Sequence, residues 1–261
     1  MSYAVEIRGL SFSYCPEALI FHDFSLRFAQ GETVMLLGPN GCGKTTLLKC
    51  MAGLLKGQRG EILVSGRPLQ AYSPTDLAKV IAYVAQNDDA GNEHLVRNYL
   101  VLGRAPYIGL FHAPGKKDYE IVEKYAVEFG VEHLLDMPIA SLSGGQRQLI
   151  AVIRALIQET PLILMDEPAA SLDLRNQVLL LSLIQKLEQH NRTVILSTHD
   201  PNHAYALKCQ VVLLAAGELI GAGMAEDILS QENIFRVFGY GLSILQKDGL
   251  TGYALQLPPM L

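Results

Sequence analysis

The sequence lacks the long uninterrupted apolar run that a membrane-spanning helix requires. Its most apolar long stretch, residues 211–225, contains Glu218 and three glycines, whereas a spanning helix needs about 20 mostly apolar residues. We therefore expect no transmembrane helix. The sequence also shows no pattern typical of a signal peptide or a lipidation site, and we expect neither.

Paired cysteines and an excess of positive charge are missing as well. The four cysteines form no C-x-x-C pair and fit no zinc-binding spacing, so we interpret them as reduced thiols of a cytosolic protein. The 21 Lys and Arg residues are outnumbered by 26 Asp and Glu residues, which gives a formal net charge of -5. This balance argues mildly against a surface that coats nucleic acid, and we predict no nucleic-acid partner.

Apolar residues, in contrast, are abundant. The 261 residues are 49% hydrophobic, enough to form the core of one large α/β domain or of a domain with a small subdomain. Short alternating runs over residues 3–30 predict antiparallel strands around a turn at Cys15-Pro16. Helical periodicity recurs later, in the stretches 92–103, 118–129 and 144–158.

These patterns predict the organisation of the chain. We expect one unit over residues 1–261, in which a mainly helical subdomain interrupts a sheet-containing core. The predicted parts are the core at about 1–86 and 161–240, the helical subdomain at about 87–160, and a short tail at 241–261.

A glycine-rich segment is the most informative stretch of the chain. It reads Gly38-Pro39-Asn40-Gly41-Cys42-Gly43-Lys44-Thr45-Thr46, between an apolar run and a helix-like run. Strand, glycine loop and helix are the context that the phosphate-binding pattern G-x-x-x-x-G-K-[ST] requires, since glycines let successive N–H groups point at one anion. Lys44 would reach the outer phosphates, and the Thr45 hydroxyl would ligate a magnesium ion. The alternative is a glycine turn with a surface lysine.

Four predicted strands end in polar groups. These groups are the glycine loop, Gln86, the pair Asp166-Glu167, and His199. Ligands of open parallel α/β sheets bind outside the carboxyl ends of the strands. If the four strands are parallel neighbours, the four groups meet at one edge of the sheet.

Each of these groups has a candidate role. Asp166 suits a magnesium ligand, through a water molecule, and Glu167 could polarise an attacking water. Gln86 could touch the metal or the water, and His199 could contact the γ-phosphate. The alternatives are an acidic pair at an ordinary strand end and a structural histidine.

The segment 142–146 predicts a second anion-binding position. Ser143 can cap a helix, and Gly144 and Gly145 would leave bare N–H groups at the helix end. The alternative is a plain cap on an amphipathic helix. If the two anion positions lie far apart on one monomer, both can contact the same nucleotide only across two chains, which implies a head-to-tail dimer closed by ATP.

The order of these motifs resembles that of the ATP-binding cassette (ABC) ATPases. The matching segments are similar to the Walker A loop (38–46), Q-loop (Gln86), signature motif (142–146), Walker B strand (162–167), D-loop (172–173) and H-loop (His199). The resemblance spans about residues 3–240. It implies an α/β P-loop NTPase fold of the ABC-ATPase type, with a small antiparallel β subdomain, an inserted helical subdomain, and ATP and Mg²⁺ as cofactors.

The resemblance also implies roles for single residues. Tyr14 matches the aromatic residue that stacks on adenine. The implied nucleotide-binding set is Tyr14, Gly38, Pro39, Asn40, Gly41, Cys42, Gly43, Lys44, Thr45, Thr46, Ser143, Gly144, Gly145, Gln146 and Asp173. The implied catalytic residues are Glu167, His199 and Gln86, and the implied magnesium ligands are Thr45, Gln86 and Asp166.

Three short strings narrow the resemblance. Residues 103–107, 172–177 and 199–202 resemble ATPase subunits of importers for iron–siderophore, haem and cobalamin, and of their molybdate or tungstate relatives. This implies a homodimer at the cytoplasmic face of the inner membrane, bound to two permease subunits and served indirectly by a substrate-binding protein. The alternatives are a non-transport cassette ATPase, a P-loop kinase and an exporter subunit.

One departure from the family pattern lies after Asp-Glu-Pro. Family members usually carry Thr-Ser or a similar pair there, whereas this chain has Ala169 and Ala170. Two hydroxyls are thus lost beside the D-loop. We expect catalysis to survive this loss, while hydrogen bonding between sites across a dimer is affected.

Two further expectations concern accessibility. Residues 87–114 should expose an apolar and aromatic set to a permease, comprising Leu95, Tyr99, Leu100, Tyr107, Ile108, Leu110 and Phe111. The alternative is that this set packs the helical subdomain's own core. Cys42, inside the anion-binding loop, should favour the thiolate and react with alkylating agents, unless it is buried and inert.

Overall fold

Two sheets, a hairpin and a set of helices make up the structure. A computed structural model describes residues 2–15, 18–86, 93–109, 112–170, 172–239, 242–247 and 250–255. The strands are β1 (Tyr3–Ser13), β2 (Leu19–Ala29), β3 (Thr33–Leu37), β4 (Arg59–Val64), β5 (Arg67–Pro68), β6 (Ile81–Val84), β7 (Leu162–Met165), β8 (Thr193–Thr198), β9 (Gln210–Ala215), β10 (Glu218–Met224), β11 (Leu242–Lys247) and β12 (Leu250–Leu255).

Helices occur between these strands. They are α1 (Lys44–Met51), α2 (Pro74–Leu77), α3 (Val96–Val101), α4 (Lys116–Glu128), α5 (Gly144–Ile157), α6 (Leu174–Gln189), α7 (Pro201–Leu207), α8 (Ala225–Ile228) and α9 (Gln231–Phe238). Short 3₁₀ turns cover Leu69–Ala71, Leu102–Tyr107, Glu132–Leu134 and Ile139–Ser141. No helix within the described ranges is long and apolar enough to cross a membrane.

The central sheet has the order β10-β9-β3-β8-β7-β6. Strands β6, β7, β8, β3 and β9 run parallel, and β10 pairs antiparallel with β9. Every residue of β3, β7 and β8 is buried, as expected for parallel strands covered on both faces. The carboxyl ends of β3, β6, β7 and β8 therefore meet at one edge of the sheet, as predicted.

The second sheet is antiparallel, with the order β2-β1-β4-β5. Val5 is opposite both Phe28 of β2 and Val64 of β4, so the alternating runs near the start of the chain do form antiparallel strands. The apolar side chains of this sheet pack with α1 and with one face of the central sheet. The predicted turn at Cys15-Pro16 lies partly outside the described residues.

The helices α3, α4 and α5 do not have a core of their own. Their buried residues join a single apolar cluster with the other face of the central sheet, in which Leu100 and Ile153 share the interior with Met35 and Ile163. The helices occur where periodicity predicted them, although α3 ends early and continues as the 3₁₀ turn Leu102–Tyr107.

The expected exposure of the segment 87–114 is wrong in part. Tyr99 and Leu100 are buried in this shared cluster, because α3 packs against α4 and α5. Leu95 and Tyr107 are exposed as expected, and Ile108 is half-buried. Leu110 and Phe111 lie outside the described residues.

Gly60 occupies a close approach between β4 and β1. Its φ of 84° is in the left-handed region, and a Cβ atom there would collide with the carbonyl oxygens of Arg8 and Gly9. Gly66 has a similar φ of 77°, but a Cβ atom on it would meet open space. A side chain at either position would strain the backbone, but only a side chain at Gly60 would also collide with neighbouring atoms.

We predict that Gly60→Ala destabilises the protein more than Gly66→Ala. Both substitutions carry the left-handed cost of about 1–2 kcal/mol, and Gly60→Ala adds an overpacking cost of about 1–3 kcal/mol. Urea unfolding followed by circular dichroism measures the difference. Equal unfolding midpoints for the two variants would contradict the close approach.

Candidate functional site

The loop between β3 and α1 is shaped by its glycines. Gly41 and Gly43 have φ values of 81° and 107°, which glycine adopts at little cost. A Cβ atom at Gly43 would lie 2.7 Å from Phe21, and one at Gly38 would collide with the Leu214 carbonyl oxygen. The loop therefore fits tightly between the two sheets and leads directly into the first turn of α1.

Lys44 places a buried cation inside this loop. Its side chain is 5% exposed, and Nζ donates to the carbonyl oxygens of Gly38 at 2.7 Å and Pro39 at 3.1 Å. Glu167 Oε1 lies 3.8 Å from the same nitrogen. A positive charge held at a helix N-terminus beside backbone N–H groups is a suitable site for a phosphate anion.

Asp166 and Thr45 meet at the entrance to α1. The Thr45 hydroxyl donates to Asp166 Oδ1 at 3.0 Å, and the Ser197 hydroxyl donates to the same oxygen at 2.7 Å. Hydroxyl and carboxylate oxygens are the donors that Mg²⁺ prefers, with phosphate and water completing its shell. Within the described ranges, no group of three or more His, Cys, Asp or Glu side chains could hold a metal ion.

The Glu167 carboxylate contacts polar side chains that follow three other strands of the sheet. Gln86 Nε2 donates to Glu167 Oε2 at 3.3 Å, and His199 Nδ1 lies 3.4 Å from the same oxygen. Lys44 approaches the other carboxylate oxygen. The four groups expected at the carboxyl edge of the sheet are thus brought together around one carboxylate.

A cleft of about 450 Å³ opens over these groups. Its lining residues are Tyr14, Ile20, Asn40, Gly41, Gly43, Lys44, Thr45, Thr46, Gln86 and Glu167. Tyr14 is 59% exposed, and its hydroxyl lies 3.3 Å from the hydroxyl oxygen of Thr46. An exposed aromatic face beside a phosphate-binding loop is suited to stacking on a planar base.

The segment 142–146 and Asp173 are not among the residues that line this cleft in the described part of the chain. Ser143 and Gln146 form a reciprocal cap on α5, with Gln146 N–H donating to Ser143 Oγ at 3.2 Å and Ser143 N–H to Gln146 Oε1 at 2.9 Å. Gly144 has open space around it. Asp173 caps α6 by accepting from Asn176 N–H at 2.8 Å. Among the described residues, the cleft lining includes none of these groups.

Comparison with known proteins decides the family. The ABC transporter family model matches residues 21–170, which include the glycine loop, Gln86, the segment 142–146 and the Asp166-Glu167 pair. The chain belongs to the ABC transporter family. The predicted fold, an ABC-type P-loop NTPase domain, is confirmed, and membership of this family implies that the chain binds ATP.

Two sequence relatives and one structure illustrate the likeness. This ABC subunit is 32% identical over 238 residues to the iron(3+)-hydroxamate import ATP-binding protein FhuC of Bacillus subtilis, covering 91% of this chain and 87% of the relative. It is 33% identical over 239 residues to the molybdate import ATP-binding protein MolC of Haemophilus influenzae, covering 91% and 89%. A metal-chelate type ABC transporter in an inward-facing conformation superposes with a TM-score of 0.85 and 32% identity, covering 99% of this chain and 100% of that one.

Sequence reasoning missed Ser197. This serine is a buried polar residue near the end of β8, two positions before His199, and it contacts both members of the acidic pair. Its position could have been noticed, since residues 193, 195 and 197 share one face of β8. Its partners could not, because they depend on the pairing of β8 with β7.

The expected reactivity of Cys42 is not supported. Cys42 is 3% exposed and packs with Leu47 and Phe21 in the apolar cluster under the loop. Burial raises the pKa of the Cys42 thiol and outweighs the opposing effect of Lys44. The thiol therefore fills space beneath the loop and remains protonated at neutral pH.

We predict that Cys42 is alkylated far more slowly than Cys15, which is exposed near the cleft. Iodoacetamide labelling followed by peptide mass spectrometry measures both rates on one sample. Unfolding in urea should make the two rates similar, which controls for peptide detection. Fast labelling of Cys42 in the folded protein would contradict its burial.

Proposed function

We propose that this ABC subunit hydrolyses ATP to ADP and phosphate, and that hydrolysis energises import of a metal chelate through a partner permease. The observation that carries the proposal is the position of Glu167. Its carboxylate faces the ATP-binding cleft and lies within 3.8 Å of the loop lysine. A water held between this carboxylate and a bound γ-phosphate would be aligned for attack.

The residues around the cleft would have different roles in the reaction. Lys44 and the loop N–H groups would bind the β- and γ-phosphates, and Tyr14 would stack on the adenine. Thr45, Asp166 and Gln86 would hold Mg²⁺, which neutralises phosphate charge when bound. Together these side chains would hold the γ-phosphate in one orientation, facing Glu167.

Glu167 would accept a proton from the attacking water. Gln86 and His199 both contact its Oε2 atom, so each can fix the direction in which the carboxylate points. His199 would then contact the γ-phosphate as negative charge develops on it. Release of phosphate would return the proton from Glu167 to solvent.

The position of the α5 N-terminus supports a dimeric reaction. Ser143, Gly144, Gly145 and Gln146 form a capped helix end and are not among the described residues that line the cleft of the same chain. A second chain arranged head to tail would bring its own helix end to this cleft and add N–H groups to the γ-phosphate. Asp173, at the start of α6, would lie near the same interface, beside the alanines at 169 and 170.

We predict that Glu167→Gln binds ATP but loses turnover, with kcat lowered by about 10²–10⁴. The amide keeps the shape of the side chain and cannot accept a proton. Uncleaved ATP should then hold two chains together. Phosphate release and size-exclusion chromatography with MgATP measure both effects.

Lys44→Ala provides the matched control. It removes the loop cation, so it should abolish turnover and also weaken nucleotide binding, and it should leave the chain monomeric with ATP. A Glu167→Gln chain that remains monomeric with ATP would contradict the dimer. Full turnover by Lys44→Ala would contradict the site itself.

A large apolar groove supports a docking surface for the permease. It encloses about 740 Å³ beside the end of α1 and is lined by side chains that include Leu54, Tyr72 and Leu77. Leu54 is exposed in it. Grooves of this kind usually receive a partner, and we propose that a cytoplasmic segment of the permease fills it.

Tyr107 extends this surface onto the segment 87–114. Tyr107 is 43% exposed, and the central carbon of the Arg104 guanidinium lies 4.2 Å from the centroid of its ring. The Tyr107 hydroxyl donates to the Gln158 carbonyl oxygen at 2.9 Å, and Gln158 Nε2 donates to the Ile81 carbonyl oxygen in the groove at 2.9 Å. The exposed ring is thus fixed next to the groove.

We predict that Tyr107→Asp leaves the ATPase activity of the isolated subunit nearly intact and detaches or uncouples it from the permease. The new charge would face an apolar partner, while the cleft is unchanged. Phe235→Asp is the matched control, because Phe235 is an exposed aromatic residue on α9. Assembly and transport should fail only in Tyr107→Asp, and transport by this variant would contradict the docking surface.

The cargo is proposed from the relatives. FhuC and the superposed transporter support a metal chelate, whereas MolC supports a molybdate or tungstate oxyanion as the second candidate. The subunit would lie at the cytoplasmic face of the inner membrane as a homodimer on two permease subunits, with a substrate-binding protein outside. Uptake of radiolabelled ferric siderophore or molybdate by the assembled transporter distinguishes the two cargoes.

A further inference from the structure

Ser197 connects the two acidic residues at the end of β7. Its hydroxyl donates to Asp166 Oδ1 at 2.7 Å and accepts from the backbone N–H of Glu167 at 2.8 Å. The side chain is fully buried at 0% exposure. Both hydrogen-bonding directions of this hydroxyl are therefore committed to the acidic pair.

The backbone of Glu167 needs such a partner. Its φ of 46° lies in the left-handed region, where the backbone of a non-glycine residue is strained. The sheet supports the chain as far as Asp166, whose N–H donates to the Val84 carbonyl oxygen at 2.9 Å. Ser197 accepts from the next N–H, and this bond fixes the turn that aims the Glu167 side chain into the cleft.

Asp166 is held from two sides. Thr45 donates to its Oδ1 atom from the phosphate-binding loop, and Ser197 donates to the same atom from the central sheet. Thr45 lines the cleft, whereas Ser197 is not among the lining residues in the part of the chain that the structure describes. Ser197 therefore orients Asp166 from behind, without contacting nucleotide.

We propose that Ser197 is a positioning residue that keeps the magnesium-binding carboxylate and the water-activating carboxylate in one mutual geometry. Asp166 and Glu167 are neighbours in sequence, yet the left-handed turn between them points their side chains differently. The Ser197 hydroxyl is hydrogen-bonded to the Asp166 carboxylate and to the Glu167 N–H. It therefore couples the orientations of the two carboxylates. The inference rests on the proposed ATPase function.

The test compares substitutions at Ser197 with one on the same strand. Ser197→Cys keeps nearly the same volume and replaces the hydroxyl with a weak hydrogen-bonding thiol, and Ser197→Ala removes the group. Ser197→Thr keeps the hydroxyl. Thr193→Val is the matched control, because Thr193 is buried on the same face of β8 and its Oγ1 accepts from Gly31 N–H at 2.9 Å.

We expect Ser197→Cys and Ser197→Ala to lower kcat about tenfold or more at saturating MgATP, and to raise KM for MgATP by about the factor lost from the magnesium effect. Binding of a fluorescent ATP analogue in EDTA should be unchanged, since the loop is intact. The gain in its affinity on adding Mg²⁺ should fall about tenfold. Ser197→Thr should recover most of the kcat, and Thr193→Val should lower only the unfolding midpoint.

Several results would overturn the inference. Ser197→Cys with wild-type kcat and the wild-type magnesium effect would reduce Ser197 to a core residue, and Ser197→Cys decides the matter if Ser197→Ala does not fold. Ser197→Thr as slow as Ser197→Cys would show that a hydroxyl at position 197 does not restore catalysis, which contradicts the positioning role. A wild-type chain without ATPase activity would overturn the proposed function, whereas an active wild type with unchanged Ser197→Cys overturns this inference alone.

Discussion

Parallel hydrogen bonding between β3, β8 and β7 is the constraint on which the site depends. The register places Leu37 beside Thr198 and Met165 beside Leu196, so the chain leaves all three strands at the same level. The residues that follow must then share one small volume. Lysine, aspartate, glutamate and histidine side chains from distant parts of the sequence become neighbours for this reason alone.

The electrostatics of the site follow from that crowding. Lys44 is buried, and a buried cation is tolerated only with compensating partners. Carbonyl oxygens of its own loop and the Glu167 carboxylate supply them. The cation nevertheless lines the cleft, so its charge remains available to a phosphate that approaches from that side.

The helical part of the chain is tied to the sheet by both apolar packing and polar contacts. A single apolar cluster runs from α3 and α5 into β6 and β7, and Gln158 donates to the first residue of β6. Arg104 forms an ion pair with Glu159 at 2.9 Å and a cation–π contact with the Tyr107 ring. These contacts connect Tyr107 to β6, the strand that precedes Gln86.

The sequence by itself determined the local motifs, whereas only the tertiary structure decided burial and side-chain partners. The phosphate loop and the caps at Ser143 and Asp173 depend on glycine φ angles and on bonds between residues three apart, which local sequence specifies. The burial of Cys42 and of Tyr99, and the two bonds of Ser197, depend on contacts between residues far apart in the chain. Such contacts exist only once strand order, register and helix packing are in place, so the residue types alone could not predict them.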